Sequence, residues 1–233
     1  MPIGNNDLVL EVGSGDMPYP RSDILCDRYP GSTPQRLLNS KLIIDRPTVI
    51  ADGERLPFTT KAFDYVIASH VLEHVEHPRQ FLAELQRVGE KGYLAFPSPL
   101  QERFYNNKTH KWYCSIAGKK LTLIRKSKKS RKRQSSTSEE KIFNLVMRYF
   151  SDQCQLSFEW SNSIQFKILE AEPAKYLQTL DRQLQILMDR AQRMKAPHPV
   201  LLKMQDNLFS VKHKTARTLE RLYWRTTRKL ALS

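Results

Sequence analysis

Short apolar runs recur along the first hundred residues, and each gives way to polar or glycine-rich positions. Four of them predict β-strands: DLVLEV at 7–12, DILCD at 23–27, TVIADG at 48–53 and FDYVIAS at 63–69. The apolar positions of HPRQFLAELQRVG recur instead at helical intervals and stop at Gly89, which predicts a helix, and KGYLAFP then predicts a fifth strand. Strands alternating with helical patterns predict an α/β fold, a Rossmann-like sheet that is mostly parallel.

The periodicity disappears between residues 98 and 137, so this stretch is interpreted as a basic insertion. After it, TSEE resembles a capping box ahead of a helix, KIFNLVMRYF. CQLSFEW and IQFKILE then alternate apolar and polar residues on either side of a three-residue turn. This alternation predicts an antiparallel hairpin that closes the sheet.

The tail has a different pattern, in which leucines from Leu177 to Leu187 recur at steps of three and four. The pattern breaks at APHP and resumes at Leu201, which predicts a helical hairpin. We therefore predict a domain over residues 1–172 and a C-terminal helical appendage over 173–233. The two narrow apolar seams could pack on the sheet domain or form a homodimer, and the pattern does not distinguish these alternatives.

The composition places the chain among globular proteins, with 40% hydrophobic and 27% charged residues. Its three cysteines form no CxxC pair, which favours buried thiols in a reducing compartment over a disulfide framework. No run approaches the roughly 20 apolar residues of a membrane span, and no signal-peptide pattern opens the sequence. We expect a cytoplasmic protein.

The formal net charge of +14 is concentrated in the second half of the chain. Residues 1–100 carry 10 Lys and Arg against 13 Asp and Glu, whereas residues 101–233 carry 28 against 11. Within that half, KKLTLIRKSKKSRKR has nine basic residues in fifteen. Such a surplus attracts anions, so RNA and an anionic membrane surface are candidate partners, although no aromatic residue lies within the run to stack on bases.

The first candidate chemistry lies in EVGSGD, directly after the first predicted strand. Gly13 and Gly15 allow a sharp turn and a close approach of a ligand to backbone amides. Asp27 and Asp52 stand at the ends of the second and third predicted strands. Because the carboxyl ends of parallel strands share one edge of the sheet, these groups should converge into a cradle of the size of adenosine, with Asp27 against the ribose hydroxyls.

These motifs, VLEVGSGD, LCD, ADGERLPF and FDYVIASHVLEHVEHP, resemble in order and spacing those of the class I S-adenosylmethionine-dependent methyltransferases, closest to the methyltransferase type 11 group. The resemblance covers residues 7–97 and, more loosely, extends to about 170. It implies S-adenosylmethionine as cofactor. The contacts it implies are Glu11, Gly13 and Gly15 at the methionine moiety, Asp27 at the ribose, Asp52 and Gly53 at the adenine, and the Ser69 to His74 stretch along the site.

The sequence departs from this pattern in the first crossover, where only ten residues separate the first two strands. Pro18 and Pro20 oppose a helix there, and the third glycine of the family is replaced. We therefore predict a compact loop. The cofactor carboxylate would then be held by the backbone amides from Gly13 through Ser14 to Asp16, or by Arg21 or Arg28, rather than by a helix N-terminus.

The candidate catalytic residues are His70, Glu73 and His74 in HVLEH. His70 is the first choice for a general base, because imidazole titrates near neutral pH. The same letters read as HxxEH, an inverted zinc-protease pattern. The motif directly follows a strand, so His70 and His74 need not share a helical face, and we predict no metal. A structural role at the strand end is the alternative for each histidine.

The candidate acceptor wall follows the fifth strand, in YNNKTHKWYC, and consists of Tyr105, His110, Lys111 and Trp112. A packed loop with exposed cations is the alternative interpretation. The sequence thus favours a methyltransferase acting on a small-molecule or glycan-like acceptor. An RNA methyltransferase is the first alternative, and a cofactor-binding protein without catalysis is the second.

Overall fold

The computed structural model describes residues 1–36, 39–128, 130 and 154–193. The fold below is that of a compact unit formed by Met1–Pro18 and Ser22–Ala191. Within the described residues, the strands are β1 (Val9–Val12), β2 (Ile24–Asp27), β3 (Thr48–Ile50), β4 (Phe63–Ser69), β5 (Gly89–Pro97), β6 (Trp112–Ala117), β7 (Lys120–Arg125), β8 (Gln155–Ser161) and β9 (Gln165–Leu169). The helices in the same residues are α1 (Pro78–Val88), α2 (Pro99–Tyr105) and α3 (Tyr176–Arg193).

Six strands form the central sheet, in the order β3-β2-β1-β4-β5-β8. The first five are mutually parallel, and β8 pairs antiparallel with β5. β1 and β4 are almost wholly buried, as expected of parallel strands covered on both faces. The α/β fold class with a mostly parallel sheet is therefore confirmed.

The predicted loop between β1 and β2 is present, since residues 13–23 contain turns and bends and no helix. The connection from β2 to β3 also has no α-helix within residues 28–36 and 39–47. By contrast, α1 joins β4 to β5 and buries Phe81, Leu82 and Leu85. It ends at Val88, and β5 begins at the next residue. The helix packs directly on the sheet just beside the strand ends that form the site.

The predicted hairpin of residues 154–170 splits between two sheets. β8 joins β5, whereas β9 pairs parallel with β7 in a second sheet of order β6-β7-β9. An isolated antiparallel bridge, Ser161 to Ser163, marks the turn between β8 and β9. Alternation of apolar residues determines which face of a strand is buried, but it does not determine the neighbouring strand.

The insertion is ordered between residues 99 and 128, which the sequence did not predict. It contains α2 and an antiparallel hairpin of β6 and β7, whose tight turn has Gly118 at a φ of 59°. The sequence analysis did not detect strand β6 because Trp112, Tyr113 and Cys114 are buried in succession, so apolar and polar residues do not alternate along it. Cys114 and Trp112 join the same core cluster as Leu94 and Phe96, so this hairpin packs on the central sheet.

The first predicted tail helix corresponds to α3, which packs on this unit. Leu180 clusters with Tyr113 and Ile124, and Arg103 forms a two-bond ion pair with Asp181. The helix predicted at 141–150 and the second tail helix lie outside the described residues. The boundary at residue 172 and the homodimer stay predictions.

None of the helices in the described part of the chain is long and apolar enough to cross a membrane. The three cysteines are buried and form no disulfide, as their number and spacing predicted.

Candidate functional site

A cleft opens at the carboxyl ends of β1 to β4, where the sequence analysis placed the site. Seven of the predicted cofactor residues line it: Gly13, Gly15, Asp27, Arg28, Asp52, Gly53 and His70. Because parallel strands bring their carboxyl ends to one edge, four separate stretches of sequence meet here. The convergence predicted from the strand ends is therefore present in the fold.

The turn after β1 depends on its two glycines. Gly13 has a φ of 74° and donates its amide to the Cys26 carbonyl at 2.7 Å, and Gly15 has a φ of 56°. A Cβ on Gly13 would lie 2.2 Å from Cγ2 of Val71. A side chain here would thus combine a left-handed backbone with a clash, so the close approach of the turn to the β4 end requires glycine.

Asp27 organises the loops around the cleft. Its Oδ2 accepts a hydrogen bond from the Gly15 amide at 3.0 Å, and its Oδ1 accepts bonds from the Tyr29 amide at 2.9 Å and from Arg36 Nη2 at 2.8 Å. Both side chains of the Arg36–Asp27 ion pair are more than nine-tenths buried. The sequence analysis missed Arg36, which lies in a loop without periodicity and so gives no sequence signal.

Asp52 lies across the cleft and remains more accessible. Its Oδ1 accepts from the Glu54 amide at 3.0 Å, and its Oδ2 pairs with Arg28 Nη1 at 3.1 Å. The neighbouring Gly53 packs against Phe81 of α1, since a Cβ there would lie 2.7 Å from the ring. The cleft wall is therefore close to the helix at this point.

These donors and acceptors fit an adenosyl ligand. An ionised carboxylate offers about four acceptor positions, and Asp27 uses three of them, so one is left for a ribose hydroxyl. Asp52 has further acceptor capacity and a partly exposed side chain. The glycine turn leaves space where a Cβ would otherwise stand.

Three predicted cofactor residues are not among those lining the cleft. The Glu11 carboxylate is buried beneath the crossover loop and accepts a hydrogen bond from Ser22 Oγ at 2.7 Å. The Ser14 hydroxyl is buried and has no hydrogen-bond partner among the described residues. Ser69 ends β4 opposite Ala95. Glu11 therefore supports the loop, which differs from the direct ligand contact that was predicted.

His70 occupies the left-handed region, with a φ of 56°, and its amide donates to the Ala95 carbonyl at 2.8 Å. This turn directs the imidazole to the cleft, where 43% of the side chain is exposed. Its Nδ1 lies 3.2 Å from Oε1 of Glu73, which is completely buried. The hydrogen bond to this carboxylate raises the pKa of His70.

Glu73 lies beneath the imidazole. Burial acts to raise its pKa, but the hydrogen bond with His70 and the positive charge that the neighbouring histidines carry when protonated together outweigh burial, so the pKa lies below its ordinary value. The second oxygen, Oε2, has no hydrogen-bond partner among the described residues. An ionised carboxylate with one open oxygen is therefore present directly below the cleft.

His74 and His110 form a T-shaped pair with ring centroids 4.4 Å apart. Burial lowers the pKa of His74 to about 4, so this imidazole is neutral near pH 7. His74 lines the cleft, whereas His110 is buried and its Nδ1 lies against the Glu102 carboxylate. His110 was predicted to contact substrate, and its burial instead places it behind the cleft.

The other three residues that were predicted to contact the acceptor lie in different places in the structure, and only one of them lines the cleft. Lys111 lines the cleft and pairs with Glu76 at 2.8 Å. Trp112 is fully buried, and its indole donates to the Val75 carbonyl at 2.8 Å, so the predicted contact with substrate is wrong for this side chain. Tyr105 lies at the end of α2 with 54% exposure and is not among the residues lining the cleft.

The sequence analysis also missed Glu76, which forms ion pairs with the side chains of Lys111 and Arg125 at the rim of the cleft. Hydrogen bonds from Lys111 and Arg125 lower its pKa to about 2. Arg125 belongs to the basic run, and the next residue, Lys126, is buried with its Nζ 2.8 Å from Glu102 Oε2. These two cations of the run therefore have acidic partners within the fold. Lys129 and residues 131–133 lie outside the described residues, so RNA and membrane binding stay predictions.

Comparison with protein families gives one match: the model of the methyltransferase domain family matches residues 32–96. This range includes Asp52, Gly53 and the His70 to His74 stretch, and it begins after the glycine turn and Asp27. The resemblance to methyltransferases stated from the sequence is confirmed by this match. No curated protein sequence matches the chain.

Several solved structures are similar to this chain. The methyltransferase solved in complex with the Haloferax volcanii Trm112 methyltransferase activator is 14% identical, with 70% of this chain and 85% of that chain covered and a TM-score of 0.40. An S-adenosylmethionine-dependent methyltransferase from Mesorhizobium loti is 13% identical, with 54% of this chain and 60% of that chain covered and a TM-score of 0.34. One from Methanosarcina mazei is 16% identical, with 50% of this chain and 69% of that chain covered and a TM-score of 0.33. Since all three scores are below 0.5, these structures add no argument, and the resemblance to methyltransferases rests on the sequence match over residues 32–96.

Proposed function

On the premise that this chain carries a methyltransferase domain, we propose that it transfers a methyl group from S-adenosylmethionine to a small-molecule or glycan-like acceptor. The observation that carries the proposal is the meeting of the Gly13 turn, Asp27, Asp52 and His70 around one cleft. A nucleoside with an attached charged group needs carboxylates that accept hydrogen bonds from its ribose hydroxyls, and a stretch of backbone that it can approach closely. The two aspartates supply the first and the glycine turn supplies the second.

The cofactor contacts follow from the donor set. Asp27 and Asp52 would accept hydrogen bonds from the adenosine half of the cofactor, and the turn from Gly13 to Gly15 would hold its methionine half. When bound, the sulfonium supplies a methyl group already activated for displacement by a nucleophile. The main contribution of the protein to such a reaction is to orient the acceptor and exclude water.

His70 is suited to remove a proton from the acceptor, because it combines exposure to the cleft with a buried carboxylate behind it. Glu73 holds Nδ1, so Nε2 is the nitrogen left to accept a proton. Glu73 then stabilises the imidazolium that forms. Its role is to position and stabilise His70, since it lies beneath the ring and is fully buried.

A small acceptor is favoured over RNA by the charges at the rim. Lys111 and Arg125 share the carboxylate of Glu76, and Arg28 and Arg36 pair with Asp52 and Asp27, so these cations around the cleft already have acidic partners within the fold. RNA binding depends on lysine and arginine side chains that can pair with phosphates, and cations already paired with carboxylates are less available for such contacts.

Replacing Asp52 with alanine should weaken S-adenosylmethionine binding. The loss of a hydrogen bond to a charged acceptor costs about 1.5 to 3 kcal/mol, which is roughly ten- to hundredfold in Kd. Isothermal titration calorimetry of wild type and Asp52→Ala with S-adenosylmethionine measures this directly. Asp52 is chosen over Asp27 because its ion pair with Arg28 is exposed, so the fold should tolerate the change.

The matched control is Asp189→Ala on α3, which removes the same group away from the cleft and should bind as wild type. Equal affinity of Asp52→Ala and wild type would exclude Asp52 as a ligand contact. An absence of binding heat with the wild-type protein, in buffers of different ionisation enthalpy, would contradict the proposed function itself.

A further inference from the structure

Three side chains that can bind a metal ion converge beneath the cleft. Glu73 and His74 come from the segment between β4 and α1, and His110 comes from the segment between α2 and β6. One ligand atom from each lies within 4.8 Å of the others. Thirty-five residues of sequence lie between His74 and His110, and the sequence analysis did not bring the two segments together.

The state of Glu73 points to a ligand. Its side chain is completely buried, Oε1 lies against His70, and Oε2 has no hydrogen-bond partner among the described residues. A buried carboxylate oxygen without a partner is costly, and native proteins satisfy nearly all such atoms. A cation between Glu73 and the two imidazoles would satisfy this oxygen without disturbing the bond to His70.

The two imidazoles are already oriented by other groups. His74 Nδ1 lies 3.3 Å from Thr109 Oγ1, and His110 Nδ1 lies against the Glu102 carboxylate. In each ring Nε2 is therefore the nitrogen left to bind a metal. Metal-binding histidines almost always donate their other ring N–H to a carboxylate, a backbone carbonyl or a water, and here the Glu102 carboxylate and the Thr109 hydroxyl lie in that position.

We propose that Glu73, His74 and His110 form a binding site for a divalent transition-metal ion, of which Zn²⁺ is the best suited. Two imidazoles and one carboxylate with a fourth position open are a ligand set that Zn²⁺ accepts, whereas Mg²⁺ prefers an all-oxygen shell. Tetrahedral ligands at zinc lie about 3.4 Å apart, so small side-chain rotations from the present positions complete the site. His74 also lines the cleft, so a water or an acceptor oxygen can reach the fourth position. The site goes beyond the proposed function and does not depend on it.

The test is titration of the full chain, free of any affinity tag and treated with a chelator, with ZnCl₂ and separately with MgCl₂. We expect one Zn²⁺ per chain and no comparable Mg²⁺ binding. Co²⁺ as a second probe should give the visible absorption of a tetrahedral site. Glu73→Gln and His74→Asn should each weaken Zn²⁺ binding by more than about 100-fold, and Thr109→Val by about tenfold, because loss of an outer partner typically costs 10- to 100-fold.

The matched control is His77→Asn, which removes a nearby exposed histidine outside the cluster and should bind Zn²⁺ as wild type. Any of three results would overturn the site: Glu73→Gln and His74→Asn bind Zn²⁺ with wild-type affinity, the wild-type protein prefers Mg²⁺ to Zn²⁺, or it binds no Zn²⁺ at all. If Glu73→Gln does not fold by circular dichroism, His74→Asn and Thr109→Val decide the matter. Titration of the chelated protein with S-adenosylmethionine separates failure of the metal site from failure of the proposed function.

Discussion

Replacing Lys126 with methionine is expected to lower the free energy of unfolding by about 3 to 5 kcal/mol, because it leaves a buried carboxylate without its cation. Lys126 Nζ is 2.8 Å from Glu102 Oε2 and 2.9 Å from Asn106 Oδ1, and neither charged side chain is more than 1% exposed. Methionine has a similar length and keeps most of the packing. The measurement is urea unfolding followed by circular dichroism.

Lys128→Met is the matched control, because Lys128 is exposed and two residues away, and its unfolding midpoint should match wild type. The double variant Glu102→Gln with Lys126→Met should cost less than the sum of the single changes, since it removes both buried charges together. Equal stability of Lys126→Met and wild type would show that the ion pair does not stabilise the fold.

Replacing His70 with asparagine should reduce kcat about 10²- to 10⁴-fold, the usual contribution of a general base, with little change in the affinity for S-adenosylmethionine. Asparagine is the informative replacement because the φ of His70 is 56°, and asparagine tolerates this left-handed conformation better than alanine does. Alanine would mix backbone strain with the loss of the imidazole. The measurement is transfer of a labelled methyl group to an acceptor found by screening.

The control for this change is again His77→Asn, which removes an imidazole at the start of α1 and should leave kcat at the wild-type value. A normal kcat in His70→Asn would rule out proton removal by His70. A loss of cofactor affinity equal to the loss of kcat would instead indicate that His70 acts in binding.

Much of the central sheet could be predicted because its strands are short apolar runs that each end at a recognisable signal. Asp27 is the last residue of β2 and Asp52 comes two residues after the end of β3, and parallel pairing then brings them to one edge. The helix α1 was predicted for the same reason, since its apolar positions keep a helical period up to Gly89, a residue type that stops helices, and α1 ends at Val88 just before it.

The rest could not be predicted because it depends on contacts between distant segments. Trp112 and His110 are adjacent to Lys111 in sequence, yet only Lys111 lines the cleft, and no local pattern distinguishes the three. Arg36 and Lys126 read as ordinary surface cations until the fold supplies Asp27 and Glu102 as partners. A single sequence shows charge but not which charges will be buried together.

The direct junction of α1 and β5 restricts how this chain can change in length during evolution. Val88 is the last residue of the helix and Gly89 the first of the strand, so no connecting residue can absorb an insertion. Adding or deleting one residue there would turn Leu94 and Phe96 away from the core, because strand side chains alternate between faces. Homologous chains that keep this fold should therefore vary in length within the surface loops and keep a constant number of residues from α1 through β5.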